Sequence, residues 1–207
     1  MRTARKVRVY GLALCLTLII AAWGSAVMAA TNQATDPGGG GVALTASGAV
    51  TVNSTALQLV KQVWTTAGAC LASMPLDPTC NGGATSATVA AGTQLKFVIF
   101  VKNTTALALS DVRFQDALDI TPTGFTYVAG SLKYSGTQLD TATLAQIYAA
   151  VDGGTVETDT VDAGAGNYAS ITGGSNITVG AVVGQVNATL GVAANRTFAL
   201  EFQARKN

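Results

Sequence analysis

The stretch Gln94-Leu95-Lys96-Phe97-Val98-Ile99-Phe100-Val101-Lys102 constrains this chain more than any other part of it. It is rich in β-branched and aromatic residues, which favour a pleated backbone over a helix. Leu95, Phe97, Ile99 and Val101 fall on one face of such a strand, and Val98 and Phe100 on the other. A strand that is apolar on both faces belongs in the middle of a sheet, with something packed above and below it. The same period of two recurs, with one face polar, at Val42–Val52, Leu57–Trp64 and Val112–Asp116. It recurs again at Phe125–Tyr134 (broken near Gly130), Thr155–Thr160, Tyr168–Ile171, Ile177–Val183 and Thr197–Ala204. Clusters of glycine, asparagine and aspartate separate these runs at short intervals. That spacing predicts an all-β chain with an Ig-like Greek-key sandwich. One segment breaks the pattern: Leu144, Ile147, Tyr148 and Val151 are spaced as on a helix. A short inserted helix is expected over 140–151, with Asp140 or Thr141 as its N-cap and Gly153 ending it.

Composition narrows the chemistry. The 207 residues include no histidine, which excludes a Ser-His-Asp triad, a Cys-His dyad and a zincin-type metal site. Three cysteines are too few for an all-cysteine zinc site or iron–sulfur cluster. No nucleophile motif stands out, so no enzymatic activity is expected. Charged residues make up 11% of the chain, against about 25% in an ordinary globular protein. A net charge of +1 offers no basic field for nucleic acid.

Residues 1–29 read as a secretory signal peptide. Arg2, Arg5, Lys6 and Arg8 form a charged start, Leu12–Ala22 an apolar stretch, and Val27-Met28-Ala29 a cleavage site of small residues. The apolar stretch is shorter than the roughly 20 residues a membrane-spanning helix needs, so no transmembrane anchor is expected after cleavage. Cleavage removes four of the 12 basic residues and none of the 11 acidic ones, leaving a slightly acidic, secreted or cell-surface chain. Cys70 and Cys80 would then be the remaining cysteines, in the loop-like stretch Cys70-Leu-Ala-Ser-Met-Pro-Leu-Asp-Pro-Thr-Cys80. An oxidising compartment and an even pair predict a disulfide between them.

Residues 30–54 read as a flexible N-terminal arm, with Pro37 followed by Gly38–Gly41. Within it, Val42, Leu44, Ala46, Val50 and Val52 alternate as a strand over 42–52. A hinged strand of this kind suits donor-strand exchange, in which an extended segment joins a neighbour's sheet. The other reading makes it the first strand of its own sandwich.

The strand sequences also resemble a known family. Ala91-Gly92-Thr93 leading into Gln94–Asn103, then Ser110-Asp-Val112-Arg-Phe114-Gln-Asp116-Ala-Leu118, then Thr123-Gly124-Phe125-Thr-Tyr127-Val128-Ala-Gly130-Ser131, are similar in order and kind to the bacterial DUF11 domain. Leu57–Lys61 and Thr197–Phe202 resemble its first and closing strands. The resemblance covers 55–207 in a single copy. It implies an Ig-like sandwich of the bacterial envelope, without enzymatic activity. The segment Cys70–Cys80 is an insertion relative to the family.

Several residue groups are candidates for sites. Asp152, Glu157, Asp159 and Asp162, near Gly164 and Gly166, offer oxygen ligands for calcium, although their spacing fits no EF-hand loop. The simpler reading is a solvated acidic loop that keeps a sparsely charged protein soluble. Asp111, Asp116 and Asp119 have the residue type of a catalytic carboxylate pair. Trp64, Tyr127, Tyr134 and Tyr148 are candidates for a glycan surface or for core packing. Asn53, Asn103, Asn176, Asn187 and Asn195 lie in formal N-glycosylation sequons. The expectation that follows is an exported structural subunit of a filament, sheath or matrix, which associates with itself or other envelope proteins. The alternative is an adhesion or carbohydrate- or calcium-binding module.

Overall fold

The structure is a computed structural model and describes residues 32–35, 43–46, 57–160, 166–182 and 185–207. The signal segment, Val42, Val50, Val52 and Asp162 lie outside the described residues. The strands in chain order are β1 (Asn32–Thr35), β2 (Ala43–Ala46), β3 (Leu57–Thr65), β4 (Cys70–Met74), β5 (Gln94–Asn103), β6 (Leu109–Ala117), β7 (Phe125–Tyr127) and β8 (Lys133–Leu139). After helix α1 (Leu144–Asp152) come β9 (Thr155–Val156), β10 (Ala169–Thr172), β11 (Asn176–Val179), β12 (Ala181–Val182), β13 (Gln185–Val186), β14 (Leu190–Val192) and β15 (Arg196–Lys206).

Two antiparallel sheets pack as a sandwich. The larger runs β4-β3-β5-β15-β8-β9, with β7 also on β15; the smaller runs β10-β11-β6-β1-β2, with β14 also on β6. β12 and β13 form a separate hairpin. β5 lies between β3 and β15, as its two apolar faces require. Its Leu95, Phe97, Ile99 and Val101 join Leu57, Leu59, Phe198, Leu200 and Phe202 in the main core. Across the sandwich they meet Val112, Phe114, Ile177, Val179 and Leu190 of the smaller sheet. Its other face, with Val98 and Phe100, is covered by Leu144, Ile147 and Val151 of α1 and by Cys80. The architecture is therefore two sheets with a helix and a disulfide loop laid over the outside of the larger one.

Local chemistry explains the boundaries. α1 starts at Thr143 rather than Asp140 or Thr141, because Gln146 completes a capping box there. The Thr143 hydroxyl accepts from the Gln146 N–H, and the Gln146 side chain accepts from the Thr143 N–H. Gly153 ends the helix. β5 occupies one whole edge of β15, so β7 and β8 share the other, as one strand interrupted over 128–132. Ser131 bridges that interruption: its hydroxyl accepts from the Gln203 N–H at 2.9 Å and donates to the Val128 carbonyl at 2.6 Å. Gly130 turns the chain there at φ 72°, where a side chain would be strained. In β6, three steps from Leu109 to Val112 face two steps of β14, and Asp111 sits at φ 59° in the resulting bulge.

Three stretches depart from the sequence reading. Cys70–Met74 is a strand and not a loop, because pairing with β3 supplies hydrogen bonds its own pattern does not advertise. Asn32–Thr35, inside the segment read as a flexible lead-in, forms β1. The run Thr155–Thr160 is strand only at Thr155–Val156. The Cys70–Cys80 disulfide is present, with Cα atoms 5.2 Å apart. Among the described residues no helix is long and apolar enough to cross a membrane.

Candidate functional site

Two places on this scaffold carry unusual features: the β6 edge and a charged cluster beneath α1. At the edge, β11 pairs with Phe114–Ala117 of β6, while β1 pairs with Arg113, Phe114 and Gln115. The shared residues put β1 and β11 on opposite sides of β6. β2 then pairs outside β1, with Leu44 opposite Ala34 and Ala46 opposite Asn32. The alternating segment read as a donor strand thus contributes Ala43–Ala46, antiparallel to β1 of its own chain. What covers β6 directly is the segment before the glycines, not the one after them.

Below the edge, Asp116 turns inward from β6 and Lys61 inward from β3 of the opposite sheet. Their Nζ and Oδ2 are 2.6 Å apart, and Asp116 is buried. Asp111 binds the Arg113 guanidinium with both carboxylate oxygens. Asp119 accepts from the Thr121 N–H at 3.0 Å, and that backbone donor holds its carboxyl below the usual range. The three aspartates therefore serve three separate partners and do not make a carboxylate pair.

Of the acidic residues proposed for calcium, Asp152, Glu157 and Asp159 are described, and each has protein partners of its own. Asp152 contacts Lys96 and lies 3.7 Å from the Lys133 Nζ. Glu157 is buried and accepts from the Tyr168 N–H at 3.1 Å. Asp159 accepts from the Tyr127 hydroxyl at 2.6 Å and from the Gly130 N–H at 2.8 Å. Each of these three carboxylates holds a protein donor, Asp162 lies outside the described residues, and no group of three metal-ligating side chains occurs among the described residues. Burial and the Asp159 bond together raise the Tyr127 phenol above its ordinary value.

The aromatic residues split between the two cores. Trp64 stacks on Tyr148 beneath α1, with ring centroids 4.3 Å apart. Tyr127 and Tyr134 pack against the main core, Tyr134 within 5.0 Å of Tyr168. They present no common face. Of the sequon asparagines, Asn103 and Asn187 are buried and donate to backbone carbonyls, so both are structural.

The cluster beneath α1 joins residues that sequence reasoning did not connect. Lys96 on β5 and Glu201 on β15 are buried on the sheet face that α1 covers, and Asp152 ends that helix. The Lys96 Nζ contacts Asp152 Oδ1, donates to the Tyr148 hydroxyl at 3.2 Å, and lies 3.8 Å from Glu201 Oε1. Lys133 donates to the Asp152 carbonyl at 2.6 Å. Glu201 has no exposed surface, and neither of its carboxylate oxygens has a hydrogen-bond partner. Burial pushes its carboxyl up to about 7, against the opposing pull of Lys96. Burial would lower the Lys96 ammonium, but Asp152, Tyr148 and Glu201 outweigh it and hold it above its ordinary value. Burial would likewise raise Asp152, but Lys96 and Lys133 hold it down. The cluster thus contains an ammonium, a carboxylate in contact with it and, beside it, a buried acid whose carboxyl burial pushes up to about 7.

Compared with known protein families, curated proteins and solved structures, the chain matches none of them.

Proposed function

We propose that this chain is an exported, non-enzymatic structural subunit, related to the DUF11 type of Ig-like surface domain. It assembles into an extracellular filament, sheath or matrix by lending its N-terminal strand to the β6 edge of a neighbouring copy. One observation carries this reading. Phe114 and Gln115 of β6 are paired on both sides, and one of the two partners is the four-residue β1, which is separated from β3 by residues 36–56. Such a link spans up to about 70 Å when extended, enough to reach its own edge or that of another molecule. An uncovered edge presents a row of unpaired N–H and C=O groups, and an identical strand from a second copy satisfies them equally well. Exchange of this kind is head-to-tail and need not close, so it propagates as a fibre. The sparse charge supports the same reading, because neutral faces pack against one another without desolvating many ions. The absence of histidine from the sequence and the disulfide clip accord with a structural role outside the cytoplasm.

Deleting residues 31–52 from the mature protein tests this directly. The truncated chain should remain folded by circular dichroism and should stay monomeric by sedimentation under conditions where the full-length mature chain forms fibres visible by electron microscopy. A full-length chain that stays monomeric at high concentration overturns the proposal. So does a truncated chain that still polymerises, or one that unfolds because the arm is an obligatory strand of its own sandwich.

A further inference from the structure

We propose that Lys96 and Glu201 become joined by an intramolecular isopeptide bond, with Asp152 as the base that frees the lysine amine. The inference is independent of how copies assemble. It starts from a misfit. A buried carboxyl normally collects hydrogen-bond donors, and Glu201 collects none on either oxygen. The nearest cation pairs with it only beyond hydrogen-bond reach: the Lys96 Nζ is in contact with Asp152 and 3.8 Å from Glu201 Oε1. A simple ion pair would leave Lys96 and Glu201 in mutual contact, with the carboxylate oxygens satisfied. Here the amine is poised between a carboxylate that can take its proton and an acid that can be acylated onto it.

The register supports the contact. Lys96 pairs across β5–β15 with Gln203, and Glu201 pairs with Val98, so Lys96 and Glu201 are diagonal neighbours on one face of the sheet. Both are covered by α1 and shielded from bulk water, while the Asp152 side chain remains 37% exposed. The site therefore has a dry reacting centre and a wet exit. The protonation states fit the chemistry at the acid; at the amine, the contacts with Asp152 and Tyr148 hold the proton on Lys96, so its transfer to Asp152 is the step that limits the rate. Burial keeps Glu201 protonated at pH values where Asp152, paired with two lysines, is ionised. A protonated acid is an electrophile, whereas a carboxylate is not.

The step balances. The Lys96 ammonium transfers one proton to the Asp152 carboxylate, and the Nζ lone pair attacks Cδ of protonated Glu201. The Nζ–Cδ bond forms, the tetrahedral centre loses a hydroxyl that departs as water with a second nitrogen proton, and Asp152 passes its proton to solvent. No oxidant, reductant or external reagent enters. Holding the amine and the acid side by side on one sheet face replaces an encounter between free groups by an intramolecular step, which favours the reaction. The product removes a buried ionisable acid and leaves one neutral amide.

Peptide mapping of the purified, oxidised mature chain by mass spectrometry tests the bond. The expected result is a branched species that joins the peptides containing Lys96 and Glu201 and is lighter than their sum by one water. Lys96→Arg keeps the cation for packing but should abolish the link, and both peptides should then appear separately. Asp152→Ala keeps amine and acid and should slow the link at least tenfold in a time course of refolding. Recovery of the two peptides unlinked from the unaltered protein overturns the proposal. A branch from Lys96 to Asp152 overturns the choice of electrophile, and an unchanged rate in Asp152→Ala overturns the assigned base. Because monomer and polymer alike would carry the bond, its absence leaves the assembly reading standing, and failure to polymerise leaves this one standing.

Discussion

Lys61 on β3 reaches across the sandwich to Asp116 on β6, with Nζ 2.6 Å from Oδ2, and joins the two sheets through their shared core. The pair is unequal. Asp116 is buried, while the Lys61 side chain keeps 27% of its surface in water. Removing the lysine should therefore harm more than removing the aspartate. Lys61→Ala removes the counter-ion of a buried carboxylate and should cost about 3 kcal/mol. Asp116→Ala leaves a lysine whose long stem can carry its ammonium outward, and should cost about half as much. The double variant Lys61→Met with Asp116→Leu should recover most of the loss. Urea unfolding of the four proteins checks the order.

Glu157 gives a pH dependence with a definite sign. It is buried, and burial raises its carboxyl above 4.5, offset only in part by the backbone N–H groups of Tyr168 and Ala169. The folded state therefore holds the proton more tightly than the unfolded one. The stability this contributes is complete below the unfolded value and is lost as pH rises through the higher folded value. Glu157→Gln removes that titration. The difference in unfolding free energy between wild type and Glu157→Gln, followed from pH 4 to pH 8, should move in favour of the variant as pH rises. A difference that stays flat contradicts the burial of a charged side chain at this position.

The disulfide and α1 cover the same sheet face, and their contributions are separable. Cys80 is fully buried in the cluster formed by Trp64, Phe100 and Ile147. Replacing Cys70 and Cys80 with alanine should cost about 3 kcal/mol, the loop-entropy value for a short bridge. Thr143→Ala removes the hydroxyl that accepts from the Gln146 N–H, while the Gln146 side chain keeps the backbone N–H of residue 143, and should cost about 1 kcal/mol. Thermal unfolding of both variants and of their combination should show losses that add within about 0.5 kcal/mol.

Much of this architecture is legible in the sequence because particular residues report burial on both sides of a strand. Val98 and Phe100, alternating with Phe97 and Ile99, announce a central strand with a second layer over it, and α1 is that layer. Leu144, Ile147 and Val151 announce the helix for the same reason. The charged cluster is not legible. Lys96 and Glu201 share a sheet face with Val98 and Phe100, whose pattern announces a covering layer, but the sequence does not say that this layer brings the two together or adds Asp152 to them. Their third member, Asp152, is remote in sequence from Lys96 and reads as part of an acidic loop. β14 escapes because Leu190-Gly-Val192 is too short to show a period, and it forms because the bulged β6 offers it hydrogen bonds. Asn103 reads as the first residue of a sequon, yet its role depends on loops that the chain reaches far later.

That asparagine supports the sharpest of these substitutions. Asn103 ends β5 and is fully buried. Its amide nitrogen donates to the Leu107 carbonyl at 2.7 Å and the Val192 carbonyl at 3.1 Å, and its oxygen accepts from the Thr105 N–H and hydroxyl. One side chain thereby holds the β5–β6 turn against the end of β14. Asn103→Ala leaves buried carbonyls without donors and should cost about 2–4 kcal/mol. Asn103→Asp is nearly the same shape and keeps the acceptor for Thr105, but it turns a second oxygen toward the two carbonyls. At neutral pH it should therefore be at least as harmful as alanine, despite losing almost no packing volume. Below the pKa of the introduced acid it regains one O–H donor, so part of the loss should return as pH falls. A shape-only role predicts the opposite order, with aspartate tolerated and alanine not, and denaturation of the two variants at pH 4 and pH 7 distinguishes them.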